Sequence, residues 1–111
     1  MKTLTEKGVE KIGKRFVDSV DHAAYTLDGQ PKTVAPFRKI ANGSDARVYI
    51  YFDDTVSGTV ENVQLIDTDG DVVAEAHDRS FSKPQSKGLY VAFKYNVKEM
   101  ETEVDASNES L

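Results

Sequence analysis

The 111-residue chain contains no cysteine, which removes disulfides, thiolate metal sites and thiol catalysis from consideration. It has no run of some 18 apolar residues, so no membrane-spanning helix is expected, to within the roughly 17–25 residues such a helix needs. Met1-Lys2-Thr3-Leu4-Thr5-Glu6 is not followed by an apolar h-region, so no signal peptide is expected either. Excess basic charge is also missing. The net charge is −5, and Glu99, Glu101, Glu103, Asp105 and Glu109 carry it with no base after Lys98. Taking those five from the 19 acidic residues leaves 14, equal to the 14 basic residues. A neutral body lacks the concentrated positive face that displaces counterions from a phosphate backbone, so nucleic acid is not an expected partner.

What is present is a globular composition, 39% hydrophobic and 30% charged, of a length that suits one domain. Gly88–Val97 organises the reading. Leu89, Val91, Phe93, Tyr95 and Val97 point one way, and Tyr90, Ala92, Lys94 and Asn96 the other. Strict alternation of this kind predicts a half-buried strand.

Upstream, Thr3-Leu4-Thr5-Glu6 has the Thr-x-x-Glu spacing of a capping box. Val9, Ile12, Phe16 and Val20, widened by Val17, form an apolar stripe that predicts an amphipathic helix of about fourteen residues. Glu10 and Lys14 are spaced as a favourable i,i+4 pair. Gly8 and Gly13 weaken that helix and leave it dependent on docking against a sheet. From Asp21 the period changes to two: Ala23, Tyr25 and Leu27 predict a first strand, and Asp28-Gly29 predicts a type I′ hairpin turn. Pro31–Ala41 reads as an edge strand bent or broken near Pro36, since proline cannot donate to a ladder. Asn42-Gly43-Ser44-Asp45 makes a turn into Arg47–Phe52, a strand with Val48, Ile50 and Phe52 on one side. Thr59–Asp67 is strand-like with a blurred alternation that suggests a bulge. Asp67-Thr68-Asp69-Gly70-Asp71 turns into Val72–His77, whose small Ala74 and Ala76 call for something bulky above them, the helix being one choice. Asp78–Lys87 reads as a polar connection. The fold class that follows is α+β, mainly β: an N-terminal amphipathic helix, then an antiparallel β-sandwich of six or seven strands. Residues 1–99 form the domain and 100–111 an acidic, flexible C-terminal tail.

No catalytic constellation emerges. Asp67-x-Asp69-Gly70-Asp71 spaces carboxylates alternately, but the EF-hand glycine and glutamate positions hold Val72 and Asp78, which favours an acidic hairpin turn over a metal site. His22 and His77 sit opposite the apolar faces of their strands. The serines lie in no nucleophile-elbow or Ser-x-x-Lys setting, and neighbours Asp53 and Asp54 point apart. No enzyme activity, cofactor or metal is expected. The candidate functional residues are Tyr49, Tyr51 and Tyr90 with Arg47 and Lys94, on the face opposite the core. Such residues suit a protein interface, or a platform on which sugar rings stack, or a face covered by the helix or a second sheet.

Several of these segments occur in a recognisable order. They are Leu4-Thr5-x-Lys7-Gly8, Val20 to Asp28-Gly29, Arg47-Val48-Tyr49-Ile50-Tyr51-Phe52, Gly58-Thr59 to Asp67, the Asp69-Gly70 turn, and Lys87-Gly88-Leu89-Tyr90 to Lys98-Glu99. Across residues 4–99 the order resembles small proteins encoded in the tail-tip or baseplate gene clusters of siphophages and prophages of Gram-positive bacteria. These are similar to the shoulder domain of lactococcal phage receptor-binding proteins. The resemblance implies a helix followed by a β-sandwich, and a non-enzymatic structural or assembly role in the distal tail. It also implies a homo-oligomer, with a trimer favoured, that contacts other tail proteins, made in the host cytoplasm and carried in the virion tail. It supplies no catalytic residues, and the chain is too short for the neck and glycan-binding head of a receptor-binding protein. A carbohydrate- or cell-wall-binding module, and an intracellular phage regulator of a host protein, stand as the alternatives.

Overall fold

The computed structural model describes residues 1–106. One helix precedes eight strands: α1 (Glu6–Ser19), β1 (Val20–Leu27), β2 (Gln30–Val34), β3 (Arg38–Asn42), β4 (Asp45–Phe52), β5 (Gly58–Asp67), β6 (Val72–Glu75), β7 (Ser80–Lys83) and β8 (Leu89–Asn96). All pairings are antiparallel. One sheet runs β2-β1-β5, with β6 and β7 both on the far side of β5; the other runs β3-β4-β8. The two pack face to face as a β-sandwich. Val48, Ile50 and Phe52 of β4 and Val91 and Phe93 of β8 meet Ala23, Tyr25, Val60, Val63 and Leu65 of the opposite sheet. Tyr25 and Phe52 join the layers edge to face, with ring centroids 4.8 Å apart.

α1 completes the layer that faces β3-β4-β8. It passes without a loop into β1 and lies against β3, β4 and β1. Its contact face is Val9, Gly13, Phe16 and Val17, with Ile12 largely exposed. A Cβ on Gly13 would come 3.2 Å from Ala46 Cβ, so the glycine permits the helix to approach β4 closely. Phe16 meets Tyr95 edge to face, 5.5 Å between centroids. The helix therefore does not cover Ala74 and Ala76, contrary to the expectation for those residues.

The N-terminal capping differs too. Thr5, not Thr3, is the N-cap, accepting the Gly8 amide at 3.0 Å. Thr3 instead donates its amide and hydroxyl to Glu99. Glu10 does not pair with Lys14. It takes Lys7 at 3.0 Å and accepts the Gly43 amide at 3.0 Å, while Lys14 pairs with Asp18. The Gly43 amide, more than the Lys7 ammonium, holds the Glu10 carboxyl below its ordinary value.

The turn at Asp28-Gly29 has both φ values positive, 49° and 82°, as type I′ requires. Pro36 sits where the chain breaks between β2 and β3, and there it crosses from one sheet to the other. Splitting that segment yields two edge strands rather than one. The bulge in β5 is real: Asn62 has φ 53°, so Val60 and Val63 both point inward. A strand that the sequence reading passed over, β7, lies inside the polar connection and pairs with β5. Its Lys83 is buried, with the ammonium reaching the Pro84 carbonyl at 2.9 Å. These two differences raise the number of strands among the described residues to eight.

Beyond β8 the chain follows its own N-terminus. Val97 donates to the Ser44 carbonyl, Glu99 accepts the Thr3 and Leu4 amides, and Thr102 donates to the Met1 carbonyl. The expected tail at 100–111 falls partly here; its residues 107–111 lie outside the described residues.

Candidate interaction face

Alternation in β4 and β8 sends every second side chain to the outside of the β3-β4-β8 sheet. The eight-residue register brings Tyr51 opposite Tyr90, Tyr49 opposite Ala92 and Arg47 opposite Lys94. All of the candidate residues thus share one face, and neither the helix nor the other sheet covers it. Tyr51 and Tyr90 stack at 4.5 Å with a tilt of 35°.

A third ring joins them. Phe37, held by its amide to the Tyr49 carbonyl at 2.8 Å, lies 5.4 Å from Tyr51 and 5.5 Å from Tyr90. Phe37 and Tyr90 are each 56% exposed, unusual for large aromatic side chains clustered together. With Arg38 and Tyr49 they line a cleft of about 310 Å³. Gly88 makes room at its end, since a Cβ there would strike the Tyr51 ring. Sequence reasoning missed Phe37 and Arg38 because they follow Pro36, outside any alternating run; the Pro-Phe-Arg triplet at a strand break is the signal that marks them.

The other half of the face is basic. Arg38 pairs in register with Tyr49, and Arg47 and Lys94 are directly opposite each other. Like charges so placed repel, a cost that an anionic partner would remove. Arg47 donates to the Tyr49 hydroxyl at 3.5 Å and lies 3.7 Å from Asp45. That hydrogen bond, then the nearby positive charges, pulls the Tyr49 hydroxyl below its ordinary value. Among the described residues no carboxylate pairs with Arg38 or Lys94.

The remaining candidates do not assemble into a reactive site. His22 pairs with its neighbour Asp21 at 2.8 Å and His77 with Glu75 at 3.3 Å, both at the surface. Asp53 uses Oδ1 to hold the Thr55 amide and hydroxyl, which lower its carboxyl, and so fixes a loop. Asp67, Asp69 and Asp71 are the one cluster of potential metal ligands among the described residues. Asp67 Oδ1 there accepts the Asp69 and Asp71 amides at 3.0 and 2.9 Å, which is turn geometry. A wider groove of about 860 Å³ on the outside of the β2-β1-β5 sheet is floored by Ala24, Thr26, Asn62 and Gln64 and lies open to solvent. Comparison with protein-family models, curated proteins and solved structures finds no match for this chain.

Proposed function

We propose that this chain is a non-enzymatic interaction protein that works through the outer face of its β3-β4-β8 sheet. The observation that carries the reading is the solvent-facing Phe37–Tyr51–Tyr90 cluster beside Arg38, Arg47 and Lys94. Aromatic rings and arginines concentrate binding energy because they bury large areas at small conformational cost and keep polar tips. The setting we propose is the distal tail of a phage, where the chain serves as a structural or assembly component. That part of the proposal rests on the order of segments over residues 4–99.

Two measurements test it. Mass spectrometry of purified virions and assembly intermediates is expected to find the chain; its absence from both removes the tail role. Co-purification of the chain with tail proteins is expected to fail for Tyr51→Ala/Tyr90→Ala while the variant stays folded. A second reading, contact with a glycan, is favoured by the 310 Å³ cleft between Phe37, Tyr49 and Tyr90, at the small end of ligand pockets. A glycan array that retains wild type and loses the same variant would select it.

A further inference from the structure

The two sheets differ in width. One has β2, β1, β5 and then β6 with β7; the other ends at β8, with nothing beyond it in the sheet order among the described residues. A groove of about 420 Å³ therefore runs along β8, lined by Tyr90 to Tyr95 on one side and by Glu75, Ala76, Arg79 and Phe81 on the other. This explains the small Ala76: what would pack over it is a strand that the described residues do not supply.

The edge of β8 is unlike the others. β2 carries Pro31 and Lys32, β3 follows Pro36 and carries Arg38 and Lys39, and β6 and β7 have four residues each. Those are the usual devices against edge pairing. β8 has eight residues in unbroken register with β4, no proline, and one charge, Lys94.

The chain also carries a segment that fits the groove. In Met100-Glu101-Thr102-Glu103-Val104-Asp105-Ala106 the acidic residues alternate with Met, Thr, Val and Ala, the pattern of a strand with one wet and one buried face. Yet Met100 and Val104 are 80% and 62% exposed. The segment is led away from its own β8 by the Ser44, Thr3, Leu4 and Met1 contacts. We propose that Met100–Ala106 of a second copy adds to the free edge of β8, completing the sheet. Met100, Thr102, Val104 and Ala106 then enter the groove against Ala76, Phe81 and Phe93. Glu101, Glu103 and Asp105 line the outer face beside Lys94 and Arg47, with Arg79 at the groove's rim. The complementary charge selects this occupant, and backbone hydrogen bonds supply the rest of the contact. Association gives up the exposed ion pair of Glu101 with the N-terminus, worth little, and the Thr102 bonds to Met1 and Glu99, while Glu99 keeps the Thr3 and Leu4 amides. Because donor and acceptor are different surfaces, the contact is head-to-tail and generates a ring where its rotation closes.

Sedimentation velocity of the full chain over a concentration series tests this. Wild type is expected to associate. Val104→Pro, which removes a donor N–H in a segment without regular structure, is expected to sediment as a monomer with an unchanged circular dichroism spectrum. Arg79→Glu/Lys94→Glu is expected to associate at least tenfold more weakly. Mixing the two variants is expected to restore a one-to-one pair, since one retains the acceptor and the other the donor. A wild type that stays monomeric, a Val104→Pro variant that associates like wild type, or a mixture that forms no pair would each overturn the proposal. Association lost in Tyr51→Ala/Tyr90→Ala but intact in Val104→Pro would assign it to the outer face instead.

Discussion

At the scale of single residues, Glu99 binds the two ends of the chain to each other. Its carboxylate accepts the Thr102 hydroxyl, the Leu4 amide, and the Thr3 amide and hydroxyl, and these donors together lower its pKa to about 2. The folded-state value lies below the ordinary 4.5, so the stabilisation is complete above pH 4.5 and is lost as pH falls through about 2. An NMR titration is expected to give a Glu99 carboxyl midpoint near 2, with the Thr3 and Leu4 amide shifts moving together with it. In Glu99→Gln those amides are expected to exchange faster, and their shifts to lose that acid transition. Gly58 illustrates a different dependence. Its φ is 133°, and a Cβ would press on the Asp28 carboxylate, whose Oδ1 accepts the Thr59 amide at 2.9 Å. Gly58→Ala is expected to destabilise the chain by about 1–3 kcal/mol through backbone strain and loss of that tie. Chemical denaturation would read this as a lowered midpoint at unchanged m-value.

At the scale of elements, what the sequence discloses follows local chemistry. β1, β4 and β8 were legible because Ala23-x-Tyr25, Val48-x-Ile50-x-Phe52 and Val91-x-Phe93 alternate cleanly and each strand buries one face. β7 was not, because Ser80-Phe81-Ser82-Lys83 presents a lysine at a position that is buried. Burial of Lys83 is set by the tertiary fold, and its ammonium is satisfied there by the carbonyl of the next residue, Pro84. β5 was blurred for a physical reason: the Asn62 bulge turns a three-residue step, Val60 to Val63, into two inward positions. The helix stripe was misplaced at Val20, which opens β1, and at Ile12, since a hydrophobic-pattern argument favours Ile12 whereas close packing against Ala46 requires Gly13. Paired substitutions test that inversion. Gly13→Leu is expected to push α1 off β4 and cost about 1–3 kcal/mol by overpacking. Ile12→Ala, at the more hydrophobic of the two positions, is expected to stay within about 0.5 kcal/mol of wild type. Urea unfolding of both variants decides it, and a larger loss at Ile12 would contradict the observed docking.

At the scale of the whole molecule, the interaction face depends on a crossing that no local pattern announces. Tyr49, Tyr51, Tyr90, Arg47 and Lys94 could be assigned to one side by alternation, but whether the helix covered that side was a tertiary question. Phe37 and Arg38 reach it only because the chain changes sheets at Pro36. The result is a separation of duties between the two faces of β4. Phe52 and Ile50 look inward and are buried, whereas Tyr51 and Tyr49 look outward beside exposed Tyr90 and Phe37. Stability and binding should therefore respond to different residues of one strand. Phe52→Ala is expected to cost about 3–5 kcal/mol, the range for emptying an aromatic core position. Tyr90→Ala removes edge and stacking contacts with rings already in water, and is expected to cost about 1 kcal/mol or less, near the 0.5–1.5 kcal/mol of an aromatic pair. For association with a partner the order reverses: a central tyrosine of an interface is worth about 2 kcal/mol or more, some thirtyfold in affinity. Thermal unfolding and titration calorimetry on the same variants measure both quantities. A Tyr90→Ala variant that loses stability like Phe52→Ala, or binds its partner like wild type, would show that the outer rings serve the fold rather than recognition.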